Sequence, residues 1–212
     1  MRKLIVSLIS LIVVCVAPTF AQVEETRISF QYHTDNNSSV ALKSNLLYDA
    51  VLVPNLGVEV KVYDNWTVYG DLMYAGWNIK PVHFYWNLYG LQFGTRRYFG
   101  QMASQRSMTG HHLGVYCQAL AYDLQAGNLG QQTPVINMGT GIEYGYSLPI
   151  SPSLNLDVEI GVGYLTGKYH EYVVDDEHYT WRGIVQRQWF GPTKASVSLV
   201  WLLKSRDKHE KR

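Results

Sequence analysis

The sequence predicts an all-β chain, a single antiparallel up-and-down transmembrane β-barrel of about eight strands with a polar, filled lumen. Three observations predict it. An export signal opens the chain, apolar and polar residues alternate with period two through about eight segments, and the ionisable residues of those segments stand opposite the apolar ones, beside glycines.

Arg2 and Lys3 precede the apolar run Leu4 to Ala17, which is shorter than the roughly 20 residues a membrane-spanning helix needs. Thr19 and Ala21 then place small residues where a secretory signal is cut. Residues 1–21 read as a signal peptide cleaved near Ala21, and Val14, bulky and just ahead of Cys15, argues against a lipoprotein cut there. Residues 22–39 form a polar leader, 40–203 the barrel, and 204–212 a charged periplasmic tail with Lys204, Arg206, Lys208, Lys211 and Arg212. The expected location is the bacterial outer membrane.

After cleavage Cys117 is the remaining cysteine, so no internal disulfide forms despite the oxidising compartment. A formal net charge of +1 lacks the clustered basic surface that a nucleic-acid partner requires. Aromatic residues make up 13% of the chain, including 16 Tyr and 6 Trp. Rings with an apolar body and a polar tip suit a membrane–water boundary.

The strands are expected, in order, at Val40 to Asp49, Leu56 to Tyr63, Trp66 to Trp77, Tyr85 to Phe99, His112 to Tyr122, Ile136 to Leu148, Leu154 to Tyr164 and Trp189 to Leu203. Leu154 to Tyr164 is the clearest: Leu154, Leu156, Val158, Ile160, Val162 and Tyr164 oppose Asn155, Asp157, Glu159, Gly161 and Gly163. These lengths approach the roughly 9 to 11 residues a tilted strand needs to cross a bilayer. Asp64-Asn65 and Pro149 to Ser153 read as tight turns on the inner side. Ala50 to Asn55, Asn78 to Phe84, Asp123 to Pro134 and the long Lys168 to Gln188 read as outer loops. Gly100 to Gly110, on the inner side, breaks the rule by its length.

Alternation alone does not say which face is outside, because a soluble ligand-binding barrel alternates too. Charge placement decides it. Lys43, Glu59, Lys61, Asp71, Arg96, Glu143, Asp157, Glu159 and Lys194 are expected to form a lumen charge network, among glycines such as Gly57, Gly94, Gly139, Gly141, Gly161 and Gly163. Glycines on a solvent face would only weaken strands; in a narrow lumen they make room for long side chains. At about eight strands the interior is filled by side chains, which predicts a plug rather than an open pore.

His170, Glu171, Asp175, Asp176, Glu177 and His178 are the densest group of possible cation ligands, in the expected longest outer loop, but their spacing matches no established metal loop and charge runs usually lie in water. No metal, cofactor or catalytic residue is therefore assigned. His111 and His112 point to opposite faces if extended, which places one of them at the barrel edge. Gly139-Thr140-Gly141 lacks the following helix that would aim amides at a phosphate. Cys117, on the row of Leu113, Val115 and Ala119, reads as a small lipid-facing filler. His170, Glu171 and His83 would supply base and acid to an enzyme, yet no serine stands in a motif that points to them.

Ala41-Leu42-Lys43-Ser44-Asn45-Leu46-Leu47-Tyr48-Asp49-Ala50, followed by Pro54-Asn55-Leu56-Gly57-Val58-Glu59, resembles the opening signature of an uncharacterised family of Gram-negative outer-membrane β-barrel proteins. Tyr144-Gly145-Tyr146, Leu154-Asn155-Leu156 and Glu159-Ile160-Gly161-Val162-Gly163-Tyr164 resemble that family's central hairpin, and Phe190-Gly191-Pro192-Thr193-Lys194-Ala195 its last strand. The resemblance implies a fold and a location but no reaction; members are described as a domain of unknown function, some encoded beside fimbrial genes. Members often carry more cysteine in the last outer loop, whereas Lys168 to Gln188 has none, so no loop disulfide or metal knuckle carries over.

The function expected is that of a non-enzymatic surface scaffold or adhesion-linked component, with outer-membrane lipid and a fimbrial or other surface protein as partners. A lipid-A-modifying enzyme, a narrow pore and a soluble periplasmic ligand carrier are the alternatives.

Overall fold

The computed structural model describes residues 38–79, 84–126, 129–175 and 178–203. The expected signal peptide, almost all of the leader and the charged tail lie outside these residues, as do His83, Asp176 and Glu177. Among the described residues there are nine strands: β1 (Val40–Asn45), β2 (Asn55–Tyr63), β3 (Trp66–Ile79), β4 (Phe84–Phe99), β5 (Gly110–Ala126), β6 (Leu129–Gln132), β7 (Asn137–Ser151), β8 (Leu154–Asp175) and β9 (His178–Leu203). Two short helices interrupt them, α1 (Leu46–Ala50) and α2 (Gln101–Gln105). None of the described helices is long and apolar enough to cross a membrane.

Every pairing is antiparallel, and the pairings return to their start: β1 joins β2 on one side and β9 on the other, with Val40 opposite both Val60 and Leu203. β6 and β7 share one place in this ring, both lying between β5 and β8: β6 pairs Asp123–Ala126 and His170–Val173, β7 the stretches nearer the opposite end. Nine strands thus fill eight places, where the sequence suggested about eight strands.

Period-two alternation has a physical cause here, since successive side chains leave a strand on opposite faces. In β8 Asp157 and Glu159 are 0% and 4% exposed, while Val158 and Ile160 are 50% and 57% exposed. The same inversion holds around the ring, with Leu72, Leu91, Val115 and Ile142 outside and Thr67, Gln92, Arg96 and Glu143 inside.

Several expected boundaries are corrected. Val40 to Asp49 is not one strand: the Asn45 side chain accepts from the Leu47 N–H at 3.1 Å, capping α1 and ending β1 early. The expected outer loop Lys168 to Gln188 is instead mostly a hairpin, with rungs from Lys168–Gln186 to Asp175–His178. Asp123 to Pro134 likewise contains the end of β5 and all of β6, and Asn78 to Phe84 is shortened by β3 and β4. In these stretches both faces carry polar groups, so the apolar alternation that marks a strand fades while the backbone ladder continues. The tight turn at Pro149 to Ser153 narrows to Pro152-Ser153, and Asp64-Asn65 turns as expected.

The long connection Gly100 to Gly110 folds into the ring. Gly100 (φ +94°) and Gly110 (φ +84°) supply left-handed conformations where the chain leaves β4 and enters β5. Between them Ala103 and Met108 bury against Ala41, Tyr98, Val200 and Leu202. Polar groups fix the strap: Arg106 donates to Ser151 O and Asn155 Oδ1 at 2.8 and 3.0 Å, and Met108 O accepts from Ser147 Oγ and Asn155 Nδ2. At the other end Val53, Met73 and Ala75 form a second apolar layer with Tyr48, Trp86, Leu88 and Leu120. The interior is mostly polar, and an apolar cluster lies toward each end with the charges between.

Candidate functional site: a charge network between two apolar layers

Every place in the ring contributes to one buried network. β1 supplies Lys43, β2 Glu59, β3 Thr67 and Tyr69, β4 Arg96 and Tyr98, β5 His112, β7 Glu143, β8 Asp157 and Glu159, and β9 Lys194 and Ser196. Residues far apart in sequence meet because alternate positions of each strand face the same interior.

Lys43 Nζ lies 3.1 Å from Glu159 and 3.5 Å from both Glu59 and Asp157. The Arg96 guanidinium pairs with Glu159, with Asp157 at 3.2 Å, with Glu143 at 3.2 Å through Nε and with Glu59 at 3.7 Å. Lys194 Nζ stands 2.5 Å from Glu143 and 2.8 Å from Glu159. Neutral groups fill remaining lone pairs: Tyr69 donates to Glu143 at 2.7 Å, Tyr98 and Thr67 donate to Glu59 at 2.8 and 2.6 Å, and Ser196 donates to Glu159 at 3.1 Å. Arg96 also lies 4.1 Å over the Tyr69 ring, a cation–π contact worth more when desolvated.

The interior glycines make room for these long side chains. A Cβ on Gly114 would come within 2.9 Å of both Arg96 Cβ and Glu143 Oε1, and one on Gly161 within 2.9 Å of Lys194 Cβ and Tyr116 Cε1. Any added side chain would occupy the volume that the salt bridges fill.

Of the nine charges expected together, Lys43, Glu59, Arg96, Glu143, Asp157, Glu159 and Lys194 meet. Lys61 and Asp71 have no ion pair among the described residues. Lys61 is half-buried. Asp71 lines a cavity of about 20 Å³ with Lys43, Tyr48, Gln92, Glu159 and Lys194, space for about one water.

Sequence reasoning missed His112, whose Nε2 lies 2.8 Å from Asp157 Oδ1. Its signal was parity: it shares a strand face with Gly114, opposite Leu113 and Val115. His111 faces outward and stacks on Phe99 at 5.7 Å between ring centres, so the expectation of one histidine at the edge describes His111, while its neighbour is central. Tyr69 was missed because a lone tyrosine in an aromatic-rich strand carries no mark of its inner position. Cys117 is exposed on the row of Leu113 and Val115.

His112, Asp157 and Glu159 offer ligand atoms within 4.8 Å of one another. The carboxylates are already taken by Lys43, Arg96 and Lys194, whose charges oppose a metal ion. His170 and Glu171, candidate ligands and catalytic groups, are successive residues of β8 opposite Gln132 and Gln131, so their side chains leave on opposite faces. The network's chemical capacity is mechanical: it braces all eight places from within, out of reach of solvent.

No curated protein and no solved structure matches the chain. A family description does match, over residues 11–203. The chain belongs to the family described as "Protein of unknown function (DUF3575)".

Proposed function

We propose that the ring is a transmembrane β-barrel of the bacterial outer membrane, exported after loss of residues 1–21, and that it acts as a non-enzymatic scaffold for a surface partner, fimbrial or other. The observation that carries this reading is the inverted polarity: a closed strand ring with ion pairs inside and an apolar exterior is the arrangement that hydrocarbon stabilises, because no backbone edge and no charge need face lipid.

The exterior aromatics support it. Trp66, Phe99, His111, Tyr144 and Trp201 are outward or exposed toward the end of the Asp64-Asn65 and Pro152-Ser153 turns; Tyr74, Tyr89, Tyr164 and Phe190 are exposed nearer the other end. Val68, Leu91, Val115, Ile142 and Val162 occupy the exterior between, with Phe93 as a ring among them. Two aromatic girdles around an aliphatic band are what a bilayer with two interfaces selects. The interior filled by ion-paired side chains supports a scaffold role over a transport one.

Expressed in a Gram-negative host, the protein is expected in the membrane fraction, released by detergent, and shifted in gel mobility by boiling. Recovery in the periplasmic fraction without detergent would sink the proposal.

A further inference from the structure

The mouth of the ring at the α1 end is lined differently from the interior beneath it. Val53, Met73 and Ala75 form its floor. Above them the register carries large rings inward. Trp77 lies two positions beyond Ala75 on the same face and pairs across with Trp86. Trp189 is the rung partner of Leu165, two rungs from the Gly163–Gly191 pair and so on the same face, and Tyr122 and Tyr169 come from β5 and β8. Trp77 and Trp189 remain 44% and 50% exposed, so the mouth is accessible.

Among the described residues Arg187 supplies a cation to this mouth. Its guanidinium sits 5.7 Å from the Tyr122 ring centre and 4.8 Å from that of Tyr169, so its faces are held by aromatic rings. Among the described residues no carboxylate makes an ion pair with it, although every cation of the network below has several. A second, independent feature lies across β8 from it. Asn137 is buried, and its Oδ1 accepts from the Lys168 N–H at 3.0 Å, but its Nδ2 has no hydrogen-bond partner. Its side chain crosses Gly167, where any Cβ would strike it, and Gly167 is the rung partner of Arg187. Across Gly167, then, an unmet amide donor and a guanidinium without an ion pair among the described residues share one side of the mouth, with Tyr122, Tyr169 and Trp189 as its aromatic lining.

We propose that this mouth binds a small ring compound bearing a carboxylate, a sugar acid or an aromatic acid. The ring stacks on the tryptophan and tyrosine faces, the carboxylate meets the Arg187 edge, where guanidinium and carboxylate geometries match, and an acceptor oxygen takes the Asn137 amide proton. Concave, largely apolar sites with a few placed polar groups are the usual form of small-ligand sites. The proposal does not depend on the membrane reading, since the mouth is defined by strand register alone.

The test uses the full chain in detergent, following tryptophan fluorescence and calorimetry with glucuronate, glucose and benzoate. Saturable binding of glucuronate or benzoate with glucose silent is the expected result; glucuronate alone identifies a sugar-acid site, benzoate alone an aromatic-acid site. Arg187→Gln is expected to weaken binding at least about tenfold, and Arg187→Lys to restore part of it, since lysine keeps the charge but not the fork. The same boiling-dependent gel shift as the parent protein confirms that both variants fold. Glucose binding as tightly as glucuronate, Arg187→Gln binding like the parent, or no saturable signal from either acid up to about 10 mM would each overturn the proposal.

Discussion

Arg96 is the residue on which most of the interior charge converges, touching Glu59, Glu143, Asp157 and Glu159 at once. Replacing it with leucine would leave those four carboxylates to Lys43 and Lys194, and removing one member of a buried ion pair typically costs about 3–5 kcal/mol. Arg96→Leu and Glu159→Ala are each expected to lower stability by that order, read as an earlier urea midpoint for loss of the unboiled gel form. Lys61→Ala, outside the network, is expected to shift it by no more than about 0.5 kcal/mol; an equal loss would mean that the network is not what holds the interior. Much of this set was legible from strand parity, because Glu143, Asp157 and Glu159 stand opposite unbroken apolar rows. Lys61 and Asp71 share the same parity, yet parity reports a face and not a height along the strand, so it does not tell which charges meet.

At the scale of elements, β8 and β9 were legible where one face is apolar and the other polar, and illegible beyond Tyr164 and Trp189, where the contrast between faces disappears. The α2 connection was visible only as an anomaly of length; that it turns inward depends on Gly100, Gly110 and the buried apolar residues Ala103 and Met108. Met108 fills the layer beneath the charges with Tyr98 and Leu202. Met108→Ala is expected to destabilise by about 2–5 kcal/mol through the cavity it leaves, measured by the same urea titration. Met108→Leu, close in volume, is expected to cost less than about 1.5 kcal/mol. An alanine variant as stable as the parent would show that the strap lies on the ring without filling it.

For the whole molecule, the seven networked charges are each no more than 7% exposed, and an apolar cluster stands on either side of them. Reconstituted into planar bilayers, the protein is expected to show no stepwise conductance; reproducible channel events would contradict the stacking. The ring itself was foreseeable from the number and parity of the segments, but its closure was not, since no residue announces that Val40 faces Leu203. That rung ties the beginning of the strand order to its end. Without β9 the other strands form a curved sheet with both margins bare, and the 26 residues of β9 pair with both margins. Closure thereby depends on β9, and any chain cut short before Thr193 would carry two adhesive borders, which makes truncated forms of this protein candidates for aggregation rather than for partial activity.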